Sequence, residues 1–237
     1  MSHSVFHFRH FTVHQDRCAM KVGTDGVLLG AWTRTADAHR ILDIGTGTGL
    51  IALMMAQKSD ASIDAIEIDG EAATQAQENF EASTWNNRLR SIHDSVQHFA
   101  TTSKDKYDLI VSNPPYFMGA HPAPVEARNV ARHMDQNLKI EELAECAKNL
   151  LNTTGRFCII LPHLEGMRFI DYASKHGLFL SRLTRVRTKS GKMEKRLLME
   201  FKPQPCHAEE DEILLQDEDG NYTAAYRKLT TEFYPGM

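Results

Sequence analysis

Short apolar runs alternate with helix-like segments through the middle of the chain. Runs of five to seven residues that contain apolar positions predict five strands, since each is bounded by turn or helix signals. Segments between them carry apolar residues at helical spacing and predict helices. The predicted strands are Arg40–Ile44, Ser62–Ile68, Leu89–His93, Tyr107–Ser112 and Arg156–Leu161. The predicted helices are 49–58, 70–83, 140–151 (with Gly155 as its stop) and 165–176.

Two further β-like runs, 178–187 and 195–202, follow without a helix between them and predict an antiparallel hairpin. Strands separated by helices pair in parallel through right-handed crossovers. The pattern therefore predicts an α/β, Rossmann-like fold: a doubly wound, mostly parallel, seven-stranded sheet ending in that hairpin. We expect a single domain over 1–237, with an N-terminal extension (1–37), a core (38–202) and a C-terminal extension (203–237).

Composition excludes several classes of protein. With 237 residues, 42% hydrophobic and 24% charged, the chain can bury a full core and is unlike fibrous or disordered chains. Its longest apolar stretch, 50–56, is too short to span a bilayer, and the N-terminus lacks the apolar region of a secretory signal. Four scattered cysteines without a C-x-x-C pair fit a reduced, cytosolic compartment.

A glycine-rich loop joins the first predicted strand of the core to its helix. It reads D-x-G-x-G-x-G, with Asp43 in front of Gly45, Gly47 and Gly49. Such a loop can hold a pyrophosphate or the amino-acid part of S-adenosylmethionine. Dinucleotide enzymes usually show G-x-G-x-x-G instead. An acid in front repels a phosphate but can hold an ammonium group, so Asp43 favours the second ligand over the first. A structural turn without a ligand is the favoured interpretation of the loop taken alone.

Two more acids follow the next strands. Glu67 closes the second strand, about twenty residues after the loop, where a carboxylate can bind both hydroxyls of a ribose. Asp94 follows the third strand, where it can accept from the exocyclic amine of an adenine. Each alone fits a solvated acid at a strand end. Because the carboxyl ends of parallel strands open on one crevice, the three acids together favour a ligand site.

The fourth strand runs into Asn113-Pro114-Pro115-Tyr116. The two prolines stiffen the turn, which fixes the oxygens of the Asn113 amide and the Pro114 carbonyl. Two fixed acceptors suit the two hydrogens of a planar NH₂ group, and the Tyr116 ring can stack on the plane that carries it. An ordinary proline turn with a core aromatic is the alternative.

The glycine-rich loop and Asn-Pro-Pro-Tyr together resemble the class I S-adenosylmethionine-dependent methyltransferases that modify amino or amide nitrogens. The resemblance implies S-adenosylmethionine as cofactor and a cofactor and reaction site formed by the glycine-rich loop, the strand-end acids and Asn113. Methyltransferases with such a loop act on adenine N6, on guanine N2 or on the side-chain amide of glutamine.

The sequence on either side of these two motifs resembles one narrower family of methyltransferases. Segments 11–15 and 20–32, Ala131-Arg132-His133 and 226–234 are similar to bacterial tRNA1(Val) adenine-37 N6-methyltransferases. The likeness covers nearly the whole chain and implies methyl transfer to N6 of that adenine in the anticodon loop. It places Lys21 and Thr24 at the methionine end of the cofactor, although a loop leading into a core helix at 27–32 also fits.

Basic residues indicate an RNA partner, although the formal net charge is −4. Seven of the residues from 182 to 196 are Lys or Arg and one is acidic, which predicts a hairpin tip that grips phosphates. The acids at 209–212 and 217–219 are interpreted as a solvated turn, with a hairpin corner at Asp219-Gly220. The predicted RNA contacts are Arg185, Arg187, Lys189 and Lys192, with Arg128 and Arg132 after the catalytic loop.

No metal site is predicted, because the histidines lack metal-ligand spacing. Three alternative functions remain open. A glutamine methyltransferase acting on a protein such as a release factor uses the same acceptor loop. An NAD(P)-dependent oxidoreductase uses a glycine-rich loop for pyrophosphate, and a non-catalytic RNA-binding module needs no cofactor.

Overall fold

A twisted, mostly parallel sheet forms the centre of the computed structural model, which describes residues 4–115 and 138–236. Within those ranges the sheet has eight strands in the order β10-β8-β9-β7-β6-β3-β4-β5, and β9 alone runs antiparallel to both neighbours. A separate hairpin of β1 and β2 precedes it. The strands are β1 Val5–His7, β2 Thr12–His14, β3 Arg40–Ile44, β4 Ser62–Glu67, β5 Leu89–His93, β6 Tyr107–Ser112, β7 Leu151–Pro162, β8 Phe179–Arg187, β9 Arg196–Lys202 and β10 Glu209–Leu214.

Helices cover both faces of the sheet, because neighbouring strand residues point to opposite sides. Ile41 packs into the core beneath α1 and α2, whereas the next residue, Leu42, packs into the core beneath α5 and α6. The described helices are α1 Thr24–Trp32, α2 Leu50–Lys58, α3 Gly70–Glu81, α4 Val96–Thr102, α5 Ile140–Leu150, α6 His163–Lys175 and α7 Ala224–Thr230. The doubly wound fold and its antiparallel hairpin, β8 and β9, are confirmed.

Gly155 does not end a helix, contrary to the sequence-based prediction. Helix α5 stops at Leu150 and β7 begins at once, so Gly155 lies inside the strand. A Cβ at Gly155 would stand 2.8 Å from the carbonyl oxygen of Tyr107. The glycine is therefore explained by close backbone packing between β7 and β6.

The acidic segment 209–214 is also different from its interpretation as a solvated turn. It forms β10, which pairs in parallel with β8 at the sheet edge and buries Ile213. The alternation of apolar residues that marks a strand is missing here, because charge pairing with β8 replaces apolar packing on the exposed face. The corner at Gly220 is confirmed: its φ is +88° and its N–H donates to Asp217 O.

None of the helices in the described ranges is long and apolar enough to cross a membrane.

Candidate active site

A cavity of about 570 Å³ opens at the carboxyl ends of β3, β4, β5 and β6. The crevice at this edge is the usual ligand site of an open α/β sheet. Residues of five chain segments and Leu138, two residues before α5, form its wall; the segments are 18–26, 44–48 with 50–51, 66–69 with Ala72, 94–97 and 112–115. Lys21, Thr24, Gly45, Gly47, Glu67, Asp94, Asn113 and Pro114 all lie on this wall.

The glycine-rich loop exposes bare backbone to the cavity. Gly45 and Gly47 have φ values of +71° and +56°, which glycine adopts at little cost. A Cβ at Gly45 would have no atom within 4 Å, so a ligand can come close to the peptide there. The loop is held to β4 because the N–H groups of Gly45 and Thr46 donate to Ile66 O at 2.9 and 3.0 Å.

Gly49 does not occupy the position at the ligand that the sequence predicts for it. Its φ is +83°, and a Cβ there would stand 2.5 Å from Cε1 of Phe80. Gly49 is not part of the cavity wall. The structure therefore explains the third glycine by the turn into α2 and by the close approach of α3, rather than by a ligand.

Asp43 is fully buried and does not reach the cavity wall. Its Oδ2 accepts from Thr46 Oγ1 at 2.6 Å and from Ala52 N at 3.2 Å, which ties the glycine-rich loop to α2. Its Oδ1 has no hydrogen-bond partner among the described residues. Burial raises the pKa of Asp43 to about 7; the two hydrogen bonds lower it in part, and the charge of Glu67 adds to the rise.

Glu67 and Asp94 lie where the strand ends predict. Both Glu67 oxygens accept backbone hydrogen bonds, Oε2 from Gly47 N at 2.9 Å and Oε1 from Asp69 N at 3.0 Å. Asp94 accepts from Ser95 N at 2.7 Å and lies 2.8 Å from Nδ1 of His98. A carboxylate oxygen has two lone pairs, so both acids keep acceptor capacity for a ligand.

Apolar residues that sequence reasoning missed complete this part of the wall. Ile68 is 44% exposed although it is large and apolar, and it lies on the cavity together with Val96 and Ala72. Apolar surface beside two carboxylates suits a nucleoside, whose base has apolar faces and whose ribose is polar. The signal in the sequence is the apolar residue directly after Glu67, in a position where a solvent-exposed turn residue is usually polar.

The segment Ser112-Asn113-Pro114 ends β6 at the cavity. Ser112 is fully buried and donates from Oγ to Ile44 O at 2.9 Å, which fixes the strand end against β3. The Oδ1 atom of Asn113 is buried and has no hydrogen-bond partner among the described residues. A buried acceptor without a partner costs free energy, so this atom suits a ligand that donates to it. Tyr116, Arg128 and Arg132 lie outside the described residues.

The N-terminal segment contributes more of the wall than Lys21 and Thr24 alone. Cys18 is buried and lies on the cavity beside Gly47. Asp25 also lies on the wall and forms an ion pair with Arg196, with Nε 2.7 Å from Oδ2. The sequence marks Asp25 by its position beside Thr24, inside segment 20–32, which is similar to the bacterial tRNA1(Val) adenine-37 N6-methyltransferases.

Some basic residues of the hairpin formed by β8 and β9 pair with acidic residues, and others do not. Arg185 pairs with Glu210 at 2.8 Å, and Arg187 pairs with Glu194 at 3.2 Å and with Glu212 at 3.3 Å. Within the described ranges, Lys189, Lys192 and Lys195 of the loop between β8 and β9 form no ion pair.

Arg182 is the exception among the basic residues of the hairpin, because it is buried. It lies 3.5 Å from the centre of the Trp32 ring and donates to Trp32 O at 2.8 Å.

The fold and the cavity define a class I methyltransferase. A predicted O-methyltransferase from Agrobacterium tumefaciens has a TM-score of 0.69 at 16% identity, covering 88% of this chain and 96% of that one. The T. thermophilus 16S rRNA N2 G1207 methyltransferase, solved with AdoMet and guanosine, has a TM-score of 0.56 at 18% identity, covering 82% of this chain and 47% of that one. The methyltransferase small domain family matches residues 21–172.

Full-length relatives indicate one family within the class I methyltransferases. A Bacteroides fragilis protein named tRNA1(Val) (adenine(37)-N6)-methyltransferase is 47% identical over 238 aligned residues, which cover 100% of both chains. A Tolumonas auensis protein of the same name is 43% identical and covers 98% of this chain and 97% of its own. The chain belongs to the family of these tRNA1(Val) (adenine(37)-N6)-methyltransferases. The oxidoreductase, glutamine methyltransferase and non-catalytic alternatives are not favoured.

Proposed function

We propose that this protein transfers the methyl group of S-adenosylmethionine to N6 of adenine 37 in the anticodon loop of tRNA1(Val). The observation that carries the proposal is the buried, unpartnered Oδ1 atom of Asn113, among the described residues, at the end of β6 and on the wall of the cavity. Relatives of the same length that are 43–47% identical support the choice of substrate.

The residues present fit the cofactor. Glu67 and Asp94 on the cavity wall are proposed to bind the ribose hydroxyls and the adenine amine, and Ile68 and Val96 are proposed to provide apolar surface for the base. The bare peptide at Gly45 allows close approach of the methionine part, and Lys21 and Thr24 line the same cavity from another segment of its wall. Bound S-adenosylmethionine supplies an electrophilic methyl group on a sulfonium.

Asn113 and Pro114 act on the amine that receives the methyl group. The N6 lone pair of adenine is delocalised into the ring, which makes it a weak nucleophile. Hydrogen bonds from the two N6 hydrogens to Asn113 Oδ1 and Pro114 O hold the nitrogen in line and favour a pyramidal shape with an available lone pair. Orientation and electrostatics then supply the rate enhancement, and the proton leaves to solvent after transfer.

The target base must leave its stack before it can enter the cavity. Adenine 37 is unpaired in the anticodon loop, so turning it out costs little. Tyr116 is proposed to stack on the base.

The RNA is proposed to run from the cavity towards the β8–β9 loop. Strand β8 runs in the same direction as β7 and β6, because β9 is antiparallel to both β7 and β8. The loop after β8 therefore lies at the carboxyl ends of the parallel strands, as the cavity does. Lys189 and Lys192 are the proposed phosphate contacts there, with Arg128 and Arg132 on the near side. Arg185 and Arg187 are proposed as weaker contacts, because acids on β10 and in the loop already pair with them.

Methylation of a small set of substrates tests the function. The enzyme is incubated with tritium-labelled S-adenosylmethionine and a transcript of tRNA1(Val), the same transcript with guanine at position 37, or a purified release factor. We expect label in the first transcript and background counts in the other two samples. Equal labelling of both transcripts would contradict adenine 37 as the target. Label in the release factor alone would establish the glutamine methyltransferase.

A further inference from the structure

The first turn of α1 forms one wall of the cavity directly beside the acceptor amide. Thr24, Asp25 and Gly26 all line the cavity. A Cβ at Gly26 would stand 3.1 Å from Cδ2 of Leu50 and 3.9 Å from Nδ2 of Asn113. The tight contact is the one with Leu50, whereas the distance to Nδ2 is that of an ordinary van der Waals contact. The first turn of α1 therefore lies directly beside the Asn113 amide and bounds the space around it.

The far end of α1 is firmly anchored. Lys58 donates from Nζ to the carbonyl oxygens of Gly30, Ala31 and Thr33, which would otherwise lack partners at the helix end. Trp32 donates from Nε1 to Thr184 Oγ1 at 2.7 Å and so binds the same end to β8. A change at the first turn therefore leaves the position of the helix as a whole intact.

The first turn has a different type of anchor. Its N-cap is Gly23, which has no side chain to cap the helix, and Asp25 is the acid of that turn. Asp25 pairs with Arg196, and the two side chains are only 22% and 26% exposed. Arg196 is the first residue of β9 and lies opposite Pro162 at the end of β7. The pair thus joins the first turn to the rigid sheet, just after the β8–β9 loop.

We infer that Asp25 and Arg196 are positioning residues of the methyl transfer reaction. Their ion pair holds the first turn of α1 against Asn113 and so keeps the carboxamide aligned on the target amine. Neither residue needs to touch the adenine for this role. The inference rests on the proposed function for its kinetic test, but the alignment of Asn113 can be measured without any substrate.

The kinetic test compares Asp25→Asn, Arg196→Gln, the double variant and the exchanged pair Asp25→Arg with Arg196→Asp. Single-turnover methylation of tRNA1(Val) at saturating cofactor and RNA reports alignment, because small displacements reduce rates by about 100-fold. We expect each single variant to lose 10- to 100-fold, the double variant to lose no more than either single variant, and the exchanged pair to regain rate. Affinity for S-adenosylmethionine should fall less than the rate does, although Thr24 lies on the same turn. Lys175→Gln removes the exposed pair with Asp171 and is the control.

The outcomes separate this role from its alternatives. Loss in Asp25→Asn with full activity in Arg196→Gln would overturn the inference and make Asp25 a direct substrate contact. A fall in melting temperature with unchanged rates in the folded variants would overturn it in favour of a purely structural pair. Inactive wild-type enzyme would instead count against the proposed function. In that case the side-chain amide signal of Asn113 in a ¹⁵N-labelled sample decides: it should shift in Arg196→Gln and not in Lys175→Gln, and an unchanged signal would overturn the inference.

Discussion

Glu67 holds the glycine-rich loop in place from the neighbouring strand: its Oε2 accepts from the N–H of Gly47 at 2.9 Å. The carboxylate that is proposed to bind the ribose also fixes the loop that is proposed to hold the methionine part. Under this proposal one residue organises both halves of the cofactor site, and its loss should have a larger effect than the loss of one ligand contact.

Substitution of Glu67 tests this double role. Glu67→Ala should weaken S-adenosylmethionine binding by about 2 kcal/mol or more, the scale of a hydrogen bond to a charged group. Glu67→Gln keeps an acceptor for Gly47 and should lose less. Glu81→Ala, at the exposed end of α3, is the matched control. Calorimetry gives the affinities, and equal affinity in all four proteins would remove Glu67 from the site.

Asn113→Ala should retain cofactor affinity and lose most turnover. In the proposed reaction the carboxamide oxygen acts on the amine as the methyl group is transferred, so its loss should cost about 2 to 4 kcal/mol in the barrier. Asn87→Ala, an exposed asparagine outside the cavity, should behave like wild type. Calorimetry and single-turnover rates are measured on the same preparations. A near-normal rate for Asn113→Ala would show that the acceptor role is wrong.

Asp43 should make stability depend on pH. Its folded pKa of about 7 lies above that of an exposed carboxyl group, so the folded protein binds more protons between about pH 4 and pH 7. The free energy of unfolding should therefore fall as pH rises through this window, by on the order of 1 kcal/mol per pH unit. Urea unfolding of wild type and Asp43→Asn across the window checks this, because the variant should have the shallower slope. Parallel curves would refute the raised pKa.

Two glycines of the same loop should respond differently to alanine. Both have positive φ, which costs alanine about 1 kcal/mol. At Gly49 the new Cβ would also collide with Phe80, whereas at Gly45 it meets open space. Gly49→Ala should therefore lose about 2 kcal/mol or more of stability, and Gly45→Ala about 1 kcal/mol, with cofactor affinity reduced only in Gly45→Ala. Thermal unfolding with calorimetry measures both, and the reverse order would contradict the assignment.

Charge removal on the hairpin tests the proposed RNA contacts. Replacing Lys189 and Lys192 by Gln should weaken tRNA binding and reduce its salt dependence by up to about one unit of log–log slope per lost contact. Replacing Arg185 and Arg187 should have a smaller effect, because acids already pair with them. Binding is measured over a salt series for both variants. Lines parallel to wild type with equal affinity would leave Arg128 and Arg132 as the candidates.

The sequence was sufficient to predict the seven strands β3 to β9. It was also sufficient to predict which of the motif residues lie at the ligand site: Gly45, Gly47, Glu67, Asp94 and Asn113. The strands follow from apolar runs, and the wall follows from the rule that parallel strands open on one edge. Asp43 and Gly49 belong to the same motif but serve the loop itself. A motif gives the spacing of residues without showing which side chains turn towards the ligand.

Strand β10 and the pair of Asp25 with Arg196 could not be predicted from the pattern. Strand β10 is acidic and pairs with β8, which precedes it by more than twenty residues. Asp25 and Arg196 are 171 positions apart. Both features depend on charges that meet only after the sheet has formed, and hydrophobic periodicity carries no information about them.

Locating the methyl group on the RNA tests the proposed reaction most directly. The enzyme is given S-adenosylmethionine with a deuterated methyl group and unmodified tRNA1(Val), and the RNA is digested and sequenced by mass spectrometry. We expect the label on one nucleoside, N6-methyladenosine at position 37, and its loss in Asn113→Ala. Label on another nucleotide, on another nitrogen of the adenine, or an RNA without label would contradict the proposed reaction.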